Sequence, residues 1–464
     1  MTDWCPDLTG SNAPRYLAIA DAIDADIRKG KLKQGDRLPA QRQLAGLLDL
    51  DFTTVARGYA EARRRGIISS QVGSGTYVTP PSSARTTSSA TSDPRRPRTP
   101  DPTMNLPPEV QAPDLIERLQ QGFASLSADL VPLMRYQTLE ASEPDRQAAC
   151  SWLSGVGLSP EPEAIQFSPG AQAALSGILA AIASPGDRIA CEEITYPGIR
   201  SICAQQHLEL QGLKTDSDGI DPDAFQAACL SGTLKALYVN PTLQNPTTRT
   251  VPHARRRALA AIARKHAVPI LEDDAYGQLS RTASPPFAAI APELTWYIGS
   301  LAKSLGAGLR LAYVLAPDKN AAWQFSRAVR TFSVMTSPLS TALATRWIED
   351  GTAEALLAYL RKECTARQTL AAGILKDQTF EADPDGFHLW LRLPAGWTRS
   401  SLAGQMRGQP IGIAESDAFT VSGTAPEAVR VCLGGPLDRT GLKEALEVMA
   451  RTLQASPQSA SAFF

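Results

Sequence analysis

Residues 80–105 read PPSSARTTSSATSDPRRPRTPDPTMN and show no apolar periodicity. Pro, Ser and Thr dominate this stretch, so it buries too little apolar surface to offset the entropy lost on ordering. We therefore expect a flexible linker here. A chain interrupted in this way is expected to fold as a small N-terminal domain, residues 13–79, and a large C-terminal domain, residues 106–455.

Charge, cysteine spacing and apolar content narrow the classes of protein to which this chain can belong. The chain carries 46 basic and 47 acidic side chains, a net charge of −1, so any preference for nucleic acid or an anionic membrane must be local. The seven cysteines are scattered and never lie in C-x-x-C spacing, which is typical of reduced thiols. No signal-peptide pattern and no apolar run of about 20 residues is present. We therefore expect a soluble cytoplasmic protein without a membrane partner.

The segment before the linker has the pattern of a winged helix-turn-helix. Apolar residues recur at helical spacing from Tyr16 to about Lys29, and QRQLAGLL, DLD and FTTVARGYAEARRRG then predict two helices joined by a tight turn. ISSQVGSGTYV follows as a hairpin suited to a wing beside a duplex. The second helix of such a motif enters the major groove, so Thr53, Thr54 and Arg57 are expected to face the bases.

Local charge agrees with contact to nucleic acid. Residues 13–79 hold eleven Lys/Arg and seven Asp/Glu, a net charge of +4 in a chain that is slightly negative overall. Arg63, Arg64 and Arg65 at the helix end are placed to meet phosphates. A simple solvated face explains this last cluster equally well.

Through GDRLPAQRQLA, the Thr-Val of FTTVARGYAEARRRG, and GSGTYV, this segment resembles the GntR-type winged helix. The resemblance implies contacts to a double-stranded DNA operator from Arg42, from Thr54 and Arg57, and from the wing around Gly75. Phe52 departs from the family pattern, which usually has an Arg or another polar residue at this position.

The segment after the linker alternates helices with short apolar strands. Ala/Leu-rich stretches such as AQAALSGILAAIA alternate with ALYVN, PILED and LAYVLAP. This alternation predicts an α/β fold with a mostly parallel sheet covered on both faces, and it places functional side chains at the carboxyl ends of strands. FHLWLRLP and VRVCLGG predict further strands, in a small C-terminal subdomain.

Four stretches of this segment offer groups for one anionic aromatic ligand. FSPGAQAALSGIL leaves the amides of Ala171 and Gln172 at a helix start, where a phosphate can bind. EEITYPGIR offers Tyr196 for stacking, although a lone tyrosine beside proline is more often a turn or core residue. YVNPTLQNPTT presents Asn245 on a strand-end loop, and PILEDDAYGQL runs into Asp273 beside two more acids. Only four histidines exist and none has ligand spacing, so a metal site at this acid cluster is disfavoured.

The stretch SLAKSLGAGLR follows a predicted strand and carries Lys303 between Ser300 and Arg310. Taken alone, Lys303 would be a surface lysine. Together with the other stretches, it completes the set of groups that a pyridoxal 5'-phosphate site needs. These are an amine for a Schiff base, an acid for the ring nitrogen, a stacking ring, and helix amides with Ser and Arg for the phosphate.

By these motifs the large segment resembles the fold-type I PLP-dependent aminotransferases. The resemblance implies that Lys303 forms the Schiff base with the cofactor, that Asp273 pairs with its ring nitrogen, and that Arg430 holds a ligand carboxylate. The other residues that it assigns to the cofactor are Tyr276, Asn245, Tyr196, Ala171, Gln172, Ser300, Arg310, and Tyr136, which is expected to reach the second subunit's phosphate. Ala302 and Thr248 depart from the pattern, which usually has serine and glycine at these positions.

A GntR-type winged helix joined by a long linker to an aminotransferase-like domain is the arrangement of the MocR/GabR-like regulators. The resemblance implies a head-to-tail homodimer. Our leading hypothesis is a transcriptional regulator in which an amino compound, or pyridoxal 5'-phosphate itself, acts as effector at Lys303 and shifts a conformational equilibrium. The alternative is a catalytically active aminotransferase with an accessory DNA-binding domain. A third possibility is a degenerate fold that only dimerises the DNA-binding domain.

Overall fold

The chain divides into two compact units, Met1–Arg96 and Pro97–Phe464, each with its own hydrophobic core. The computed structural model describes residues 4–8, 14–33, 35–64, 67–71, 75–78, 101, 104–138, 141–232, 234–282 and 284–455. Most of the predicted linker, the tip of the predicted wing and Arg65 lie outside these residues. The exact bounds of the domains stay a prediction.

The smaller unit is a winged helix-turn-helix, as predicted. Its elements in chain order are α1 Arg15–Arg28, α2 Gln41–Leu48, α3 Phe52–Arg64, β1 Ile68–Gln71 and β2 Gly75–Val78. α1 packs closely on α3, since a Cβ at Gly58 would lie 3.0 Å from the Cβ of Ile19. α2 ends where Asp49 adopts a left-handed φ of 51°, and this residue makes the tight turn into α3. β1 and β2 pair antiparallel and form the wing.

The larger unit alternates helices and strands along most of its length. Its elements up to the last strand of the central sheet are α4 Pro113–Ser125, α5 Leu130–Leu133, α6 Glu143–Ser154, β3 Ile165–Ser168, α7 Ala171–Ile182, β4 Arg188–Glu192, α8 Pro197–Gln205, β5 Glu209–Leu213, β6 Thr215–Asp216, β7 Gly219–Ile220, α9 Pro222–Leu230, β8 Leu234–Val239, α10 His253–His266, β9 Ile270–Asp273, α11 Phe287–Ile290, β10 Thr295–Ser300 and β11 Ala312–Leu315. After β11 come α12 Lys319–Phe332, α13 Pro338–Glu349, α14 Thr352–Ile374, β12 Thr379–Ala382, β13 His388–Arg392, α15 Arg399–Gln405, β14 Gly412–Glu415, β15 Ala428–Cys432 and α16 Arg439–Gln454.

In the described part of the chain, the central sheet has seven strands in the order β3-β11-β10-β9-β8-β4-β5. The strands from β10 to β5 run parallel, and β11 runs antiparallel to both of its neighbours. Side chains alternate between the two faces: Leu271 of β9 joins the cluster under α7 and α12, whereas Ile270 joins the cluster under α9 and α10. The predicted mostly parallel sheet, covered on both faces, is therefore confirmed.

The C-terminal subdomain is an antiparallel sheet in the order β12-β13-β15-β14. Leu389 and Leu391 of β13 and Val431 of β15 pack against α16 in one core, which confirms the predicted strands FHLWLRLP and VRVCLGG. Among the described residues, no helix combines the length and the apolar character needed to cross a membrane.

Candidate functional site

The candidate site of the larger unit lies where neighbouring parallel strands end. β8 ends directly before Asn240, β9 ends at Asp273, and β10 ends at Ser300, three residues before Lys303. Parallel strands place their carboxyl ends at one edge of the sheet, so these side chains come together although up to about sixty positions separate them in sequence. This edge is the one at which sequence analysis predicted the functional groups.

The three acids of the LEDD stretch have different surroundings. Glu272 is fully buried, lies 3.4 Å from a guanidinium nitrogen of Arg256, and accepts hydrogen bonds from two backbone N–H groups of α11. Asp274 accepts a hydrogen bond of 2.9 Å from the hydroxyl of Tyr297. Both acids thus have structural partners, although Oδ1 of Asp274 is buried without a hydrogen-bond partner. Of the three acids, Asp273 is the one that was predicted to bind the cofactor.

Asp273 has one satisfied and one unsatisfied carboxylate oxygen. Its Oδ2 accepts a hydrogen bond of 2.9 Å from Tyr238, whereas Oδ1 is buried without a partner. Burial raises the pKa of Asp273 to about 6, and the hydrogen bond from Tyr238 opposes this shift. Leaving a buried acceptor unpaired costs about 1–3 kcal/mol. A protonated ring nitrogen would supply the missing donor and a compensating positive charge.

Lys303 lies in a short 3₁₀ helix after β10 and is partly buried. Its Nζ donates a hydrogen bond to the backbone carbonyl of Asn105. Burial lowers the pKa of Lys303 to about 8, and the nearby cations Arg430 and Arg310 act in the same direction. A lowered pKa raises the share of the neutral, nucleophilic amine near neutral pH.

Asn105 connects Lys303 to two aromatic side chains. Its Nδ2 donates a hydrogen bond of 2.9 Å to the hydroxyl of Tyr276 and lies 3.1 Å from Nδ1 of His388. His388 Nε2 lies 3.3 Å from the backbone oxygen of Gln244. Burial, and then the charge of Arg430, lower the pKa of His388 to about 3, so its ring is neutral at physiological pH.

The start of α7 and Arg310 form an anion-binding corner. Gly170 precedes this helix with a φ of 90°, and a Cβ there would lie 2.9 Å from Nη2 of Arg310. The guanidinium thus faces the helix start, where the first amides, those of Ala171 and Gln172, have no partners within the helix. A helix N-terminus beside a cation favours a phosphate.

Two more predicted residues border this corner. Ser300 is 6% exposed, and its Oγ accepts a hydrogen bond of 3.3 Å from the backbone of Ala302 at the start of the 3₁₀ helix. Tyr196 lies directly before α8, and its hydroxyl accepts a hydrogen bond of 3.2 Å from the side chain of Gln172. The Tyr196 ring, which is predicted to stack on the cofactor, is therefore hydrogen-bonded to Gln172 at the predicted phosphate-binding part of the site.

Arg430 reaches the site from β15 of the C-terminal subdomain. It is 4% exposed, and its Nη1 donates a hydrogen bond of 3.0 Å to Oδ1 of Asn245. Its guanidinium also lies 5.2 Å from the ring centre of Phe419. Desolvation lowers the pKa of Arg430, but the ordinary value is high enough that the group stays charged. A ligand carboxylate would find a buried, oriented cation here.

Tyr136 is the one predicted cofactor residue that does not join these contacts. It follows α5 in an irregular segment, and its side chain is 83% exposed. The other predicted residues form one continuous site with an amine, an unpaired buried carboxylate oxygen and an anion-binding corner. This donor and acceptor set fits pyridoxal 5'-phosphate.

In the smaller unit, Asp51 organises the start of the predicted recognition helix α3. Its carboxylate accepts hydrogen bonds from the hydroxyl of Thr53, from the backbone N–H of Thr54 at 2.8 Å, and from the Thr54 hydroxyl at 2.6 Å. These bonds, the one from the Thr53 hydroxyl first, lower the pKa of Asp51 to about 2. Both threonine hydroxyl hydrogens are therefore engaged, so each oxygen remains available mainly as an acceptor.

Two exposed arginines of this unit stack on aromatic rings. The guanidinium carbon of Arg57 lies 4.3 Å from the ring centre of Tyr16, and that of Arg42 lies 5.9 Å from the ring centre of Phe52. Phe52, which departs from the GntR pattern, thus lies under Arg42, a predicted DNA-binding residue. Gly75 is the first residue of β2.

Three residues of the site were not predicted from the sequence. Tyr238 belongs to the predicted strand ALYVN and lies two residues before Asn240. Residues two apart on a strand share one face, and this spacing could have identified Tyr238. His388 is one of only four histidines in the chain. Asn105 was predicted as the last linker residue, yet it is 3% exposed in the larger unit. No local pattern marks it.

Two known protein families match this chain, one over the larger unit and one over the smaller unit. Residues 104–449 match the family of aminotransferase class I and II, and residues 15–78 match the bacterial regulatory proteins of the gntR family. The first match covers most of the chain, so the protein belongs to the aminotransferase class I and II family, which depends in general on pyridoxal 5'-phosphate. Its combination with a GntR domain is the MocR/GabR-like arrangement.

Individual relatives divide between regulators and enzymes. YdeF of Bacillus subtilis, named as an uncharacterized HTH-type transcriptional regulator, is 29% identical over 451 residues, 97% of this chain and 96% of that protein. The 2-aminoadipate transaminase of Thermus thermophilus is 25% identical over 336 residues, 69% of this chain and 82% of that enzyme. The structure of LysN, an α-aminoadipate aminotransferase of Thermus thermophilus, matches 78% of this chain and 92% of its own with 22% identity and a TM-score of 0.68. This last likeness shows the fold.

Proposed function

We propose that this protein is a DNA-binding transcription regulator that responds to pyridoxal 5'-phosphate or an amino compound at Lys303. The observation that carries the proposal is the presence, in one chain, of a GntR winged helix and of a buried, unpaired Asp273 oxygen near Lys303. YdeF, the regulator-named relative, spans both parts. A regulator of this kind acts where DNA is accessible, which places it in the cytoplasm.

We assign the cofactor to the residues around Lys303. When bound, pyridoxal 5'-phosphate supplies an aldehyde to which an amine attaches covalently. Asp273 would hold the ring nitrogen protonated, and Tyr196 would cover the ring. The residues assigned to the ring hydroxyl and phosphate are Asn245, Tyr276, Ala171, Gln172, Ser300 and Arg310. Arg430 would bind the carboxylate of an amino-acid effector.

We assign the operator contacts to the start of α3, to α2 and to the wing. Arg57 is exposed, and stacking on Tyr16 limits its rotamers before any DNA is bound. Thr54, Thr53 and Arg42 border the same helix start. Gly75 at the start of β2 would let the wing approach the backbone of the duplex closely.

We further propose a head-to-tail homodimer. Exposed apolar side chains cluster on and after α5, among them Val131 and Met134, each 69% exposed, and Tyr136. Such a patch is costly in water unless another surface covers it. In the dimer, Tyr136 would contact the phosphate of the second subunit.

Cofactor binding is the direct test of this proposal. The purified full chain is expected to bind one equivalent of pyridoxal 5'-phosphate covalently, as measured by its absorbance after dialysis and by the mass of the borohydride-reduced protein. Lys303→Ala removes the attached amine and should abolish this mass shift. Lys443→Ala, at an exposed lysine 3.8 Å from Glu447, is the matched control and should retain it. A wild-type chain that binds no cofactor would refute the proposal.

An active aminotransferase is the second candidate function. Lys303, with a pKa of about 8, can take up and return a proton near neutral pH, as transamination requires of such a lysine. The similarity to a 2-aminoadipate transaminase also favours it. Sustained conversion of an amino acid and a keto acid over many turnovers would support the enzyme. A single slow half-reaction combined with sequence-specific DNA binding would support the regulator.

A further inference from the structure

Asn105 is the residue through which the segment after the predicted linker enters the site. The residues that follow it are held against the loop after β15, since Glu109 N–H donates to Gly435 O at 3.1 Å and Gly435 N–H donates to Pro107 O at 3.0 Å. A side chain at Gly434 would collide with the carbonyl of Leu106. The backbone is thus seated firmly, and Asn105 itself is 3% exposed.

The hydrogen-bond network determines which way the Asn105 amide faces. The backbone oxygen of Gln244 only accepts, so His388 Nε2, 3.3 Å away, must carry the hydrogen of the neutral ring. Nδ1 of His388 is then an acceptor, and the Asn105 atom 3.1 Å from it must be the NH₂ group. The second N–H of that group donates to Tyr276.

With both N–H groups used, the oxygen is the one atom of the Asn105 amide that can still form a hydrogen bond. This Oδ1 is buried and has no donor partner. The backbone carbonyl of the same residue accepts a hydrogen bond from Lys303. Asn105 therefore carries an unpaired buried acceptor and also contacts the amine of Lys303, at which an effector would bind. A donor from a ligand would satisfy it.

We propose that Asn105 is a specificity-determining residue of the site, whose Oδ1 accepts a hydrogen bond from a second donor group of the bound amino compound. The site then favours amino acids that carry a hydroxyl or amide N–H over apolar compounds of the same shape. This inference rests on the proposed function. It also gives the effector a direct contact with the segment that leads out of the predicted linker.

The test uses the full chain loaded with pyridoxal 5'-phosphate and three matched ligand pairs. These are L-serine with L-2-aminobutyrate, L-homoserine with L-norvaline, and L-asparagine with L-leucine. Kd is measured for each compound from the absorbance change of the bound cofactor. In at least one pair the donor-bearing compound is expected to bind about tenfold more tightly or better, because the apolar partner leaves Oδ1 unpaired.

Variants attribute this preference to Asn105. Asn105→Leu has a similar shape without an acceptor and should bring the two Kd values of that pair to within about twofold. Asn105→Asp retains the acceptor and should keep the preference, which preserves the test if the leucine variant does not fold. Asn320→Leu, at an exposed asparagine of α12, is the control and should behave as the wild type.

The outcomes separate the two proposals. If the wild type retains the cofactor and binds amino acids but prefers no donor-bearing compound, the role of Asn105 is refuted while the proposed function stands. The role is equally refuted if the preference persists in Asn105→Leu, is lost in Asn105→Asp, or if none of the six compounds binds. If the wild type retains no cofactor, both proposals are refuted.

Discussion

At the scale of single residues, the site contains carboxyl groups whose burial opposes ionisation. Asp273 has a pKa of about 6 in place of the ordinary 3.8, and Glu192, which lies near it, has a pKa of about 7 in place of 4.5, both because of burial. A folded state that holds a proton more tightly than the unfolded chain loses stability as pH rises through this interval. These buried carboxyl groups thus weaken the cofactor-free protein at neutral pH, and a protonated ring nitrogen of the cofactor would offset the contribution of Asp273.

The pH dependence of Asp273→Asn tests this account. The variant cannot ionise, so the stability of its cofactor-free form relative to wild type should rise between about pH 4 and 6 and then level off, by at most about 3 kcal/mol. Denaturant unfolding at a series of pH values measures the difference. Glu192→Gln is a matched variant, and its relative gain should continue to about pH 7. Two pH profiles parallel to that of the wild type would contradict the raised pKa values.

Thr248 occupies a position where the family pattern has glycine, and it adopts a left-handed φ of 65°. This conformation costs a β-branched residue about 1–2 kcal/mol, whereas glycine adopts it freely. Thr248→Gly should therefore change the free energy of unfolding by less than about 1 kcal/mol, because relief of strain offsets the lost side chain and the greater freedom of the unfolded chain. Denaturant unfolding of the cofactor-free wild type and variant measures this change in the free energy of unfolding.

The neighbouring Thr247→Gly is the control for this prediction. Thr247 has no left-handed strain to relieve, and its hydroxyl donates a hydrogen bond of 2.6 Å to Gln244. Its substitution should cost at least about 1 kcal/mol more than the one at position 248. Equal losses in the two variants would show that the left-handed backbone stores no strain.

At the scale of elements, the start of α7 should decide phosphate binding. Gly170→Ala and Gly186→Ala both place a side chain at a φ near 90°, but a Cβ clashes with Arg310 only at position 170 and meets open space at position 186. Arg310 can yield because it is the end of a long side chain. We expect similar losses of stability in the two variants, and a loss of at least about tenfold in pyridoxal 5'-phosphate affinity in Gly170→Ala alone.

Equilibrium dialysis against the cofactor measures this difference, and thermal unfolding of the cofactor-free proteins gives the stability control. If Gly186→Ala lost as much affinity as Gly170→Ala, the effect would be general backbone strain. The assignment of the corner formed by α7 and Arg310 to the phosphate would then be wrong.

Helix α3 makes a separate prediction about DNA. We propose that Arg57 near the middle of the helix contacts the bases and that Arg63 near its end contacts phosphates, which is one of the two alternatives left open for the basic cluster. Arg57→Ala should reduce the discrimination between operator and scrambled DNA by about 1–3 kcal/mol, because a base contact is lost. Arg63→Ala should weaken binding to both sequences alike and lower the salt dependence. Fluorescence anisotropy with the two duplexes at several salt concentrations distinguishes these outcomes, and equal loss of discrimination in both variants would contradict the assignment.

The elements also show what could be predicted from the sequence. β8, β9 and β10 carry continuous apolar runs, so their ends, and with them Asn240, Asp273 and Ser300, were predictable from periodicity. Asn105 and His388 were not, because they are 283 positions apart and meet only through tertiary packing. The acids of LEDD were predictable as a cluster, and the family resemblance singled out Asp273, but the partners of the other two, Arg256 and Tyr297, are marked by no local pattern.

At the scale of the whole molecule, one chain carries both the proposed ligand site and the winged-helix unit. A ligand can shift DNA affinity only by its differential affinity for the states that bind DNA well and poorly. Couplings of this kind are typically worth about 1–3 kcal/mol, which corresponds to about 5- to 150-fold in affinity. The linkage is reciprocal, so operator DNA must change the affinity for the effector by the same factor.

The most direct test is the affinity of the full chain for its own upstream DNA and for a scrambled duplex, at one fixed salt concentration. It is measured with and without pyridoxal 5'-phosphate and a panel of amino compounds. We expect sequence-specific binding that shifts at least about fivefold with the cofactor or with one compound, and no such shift in Lys303→Ala. Absence of any sequence preference under every condition would contradict it, and so would a shift that Lys303→Ala retains in full.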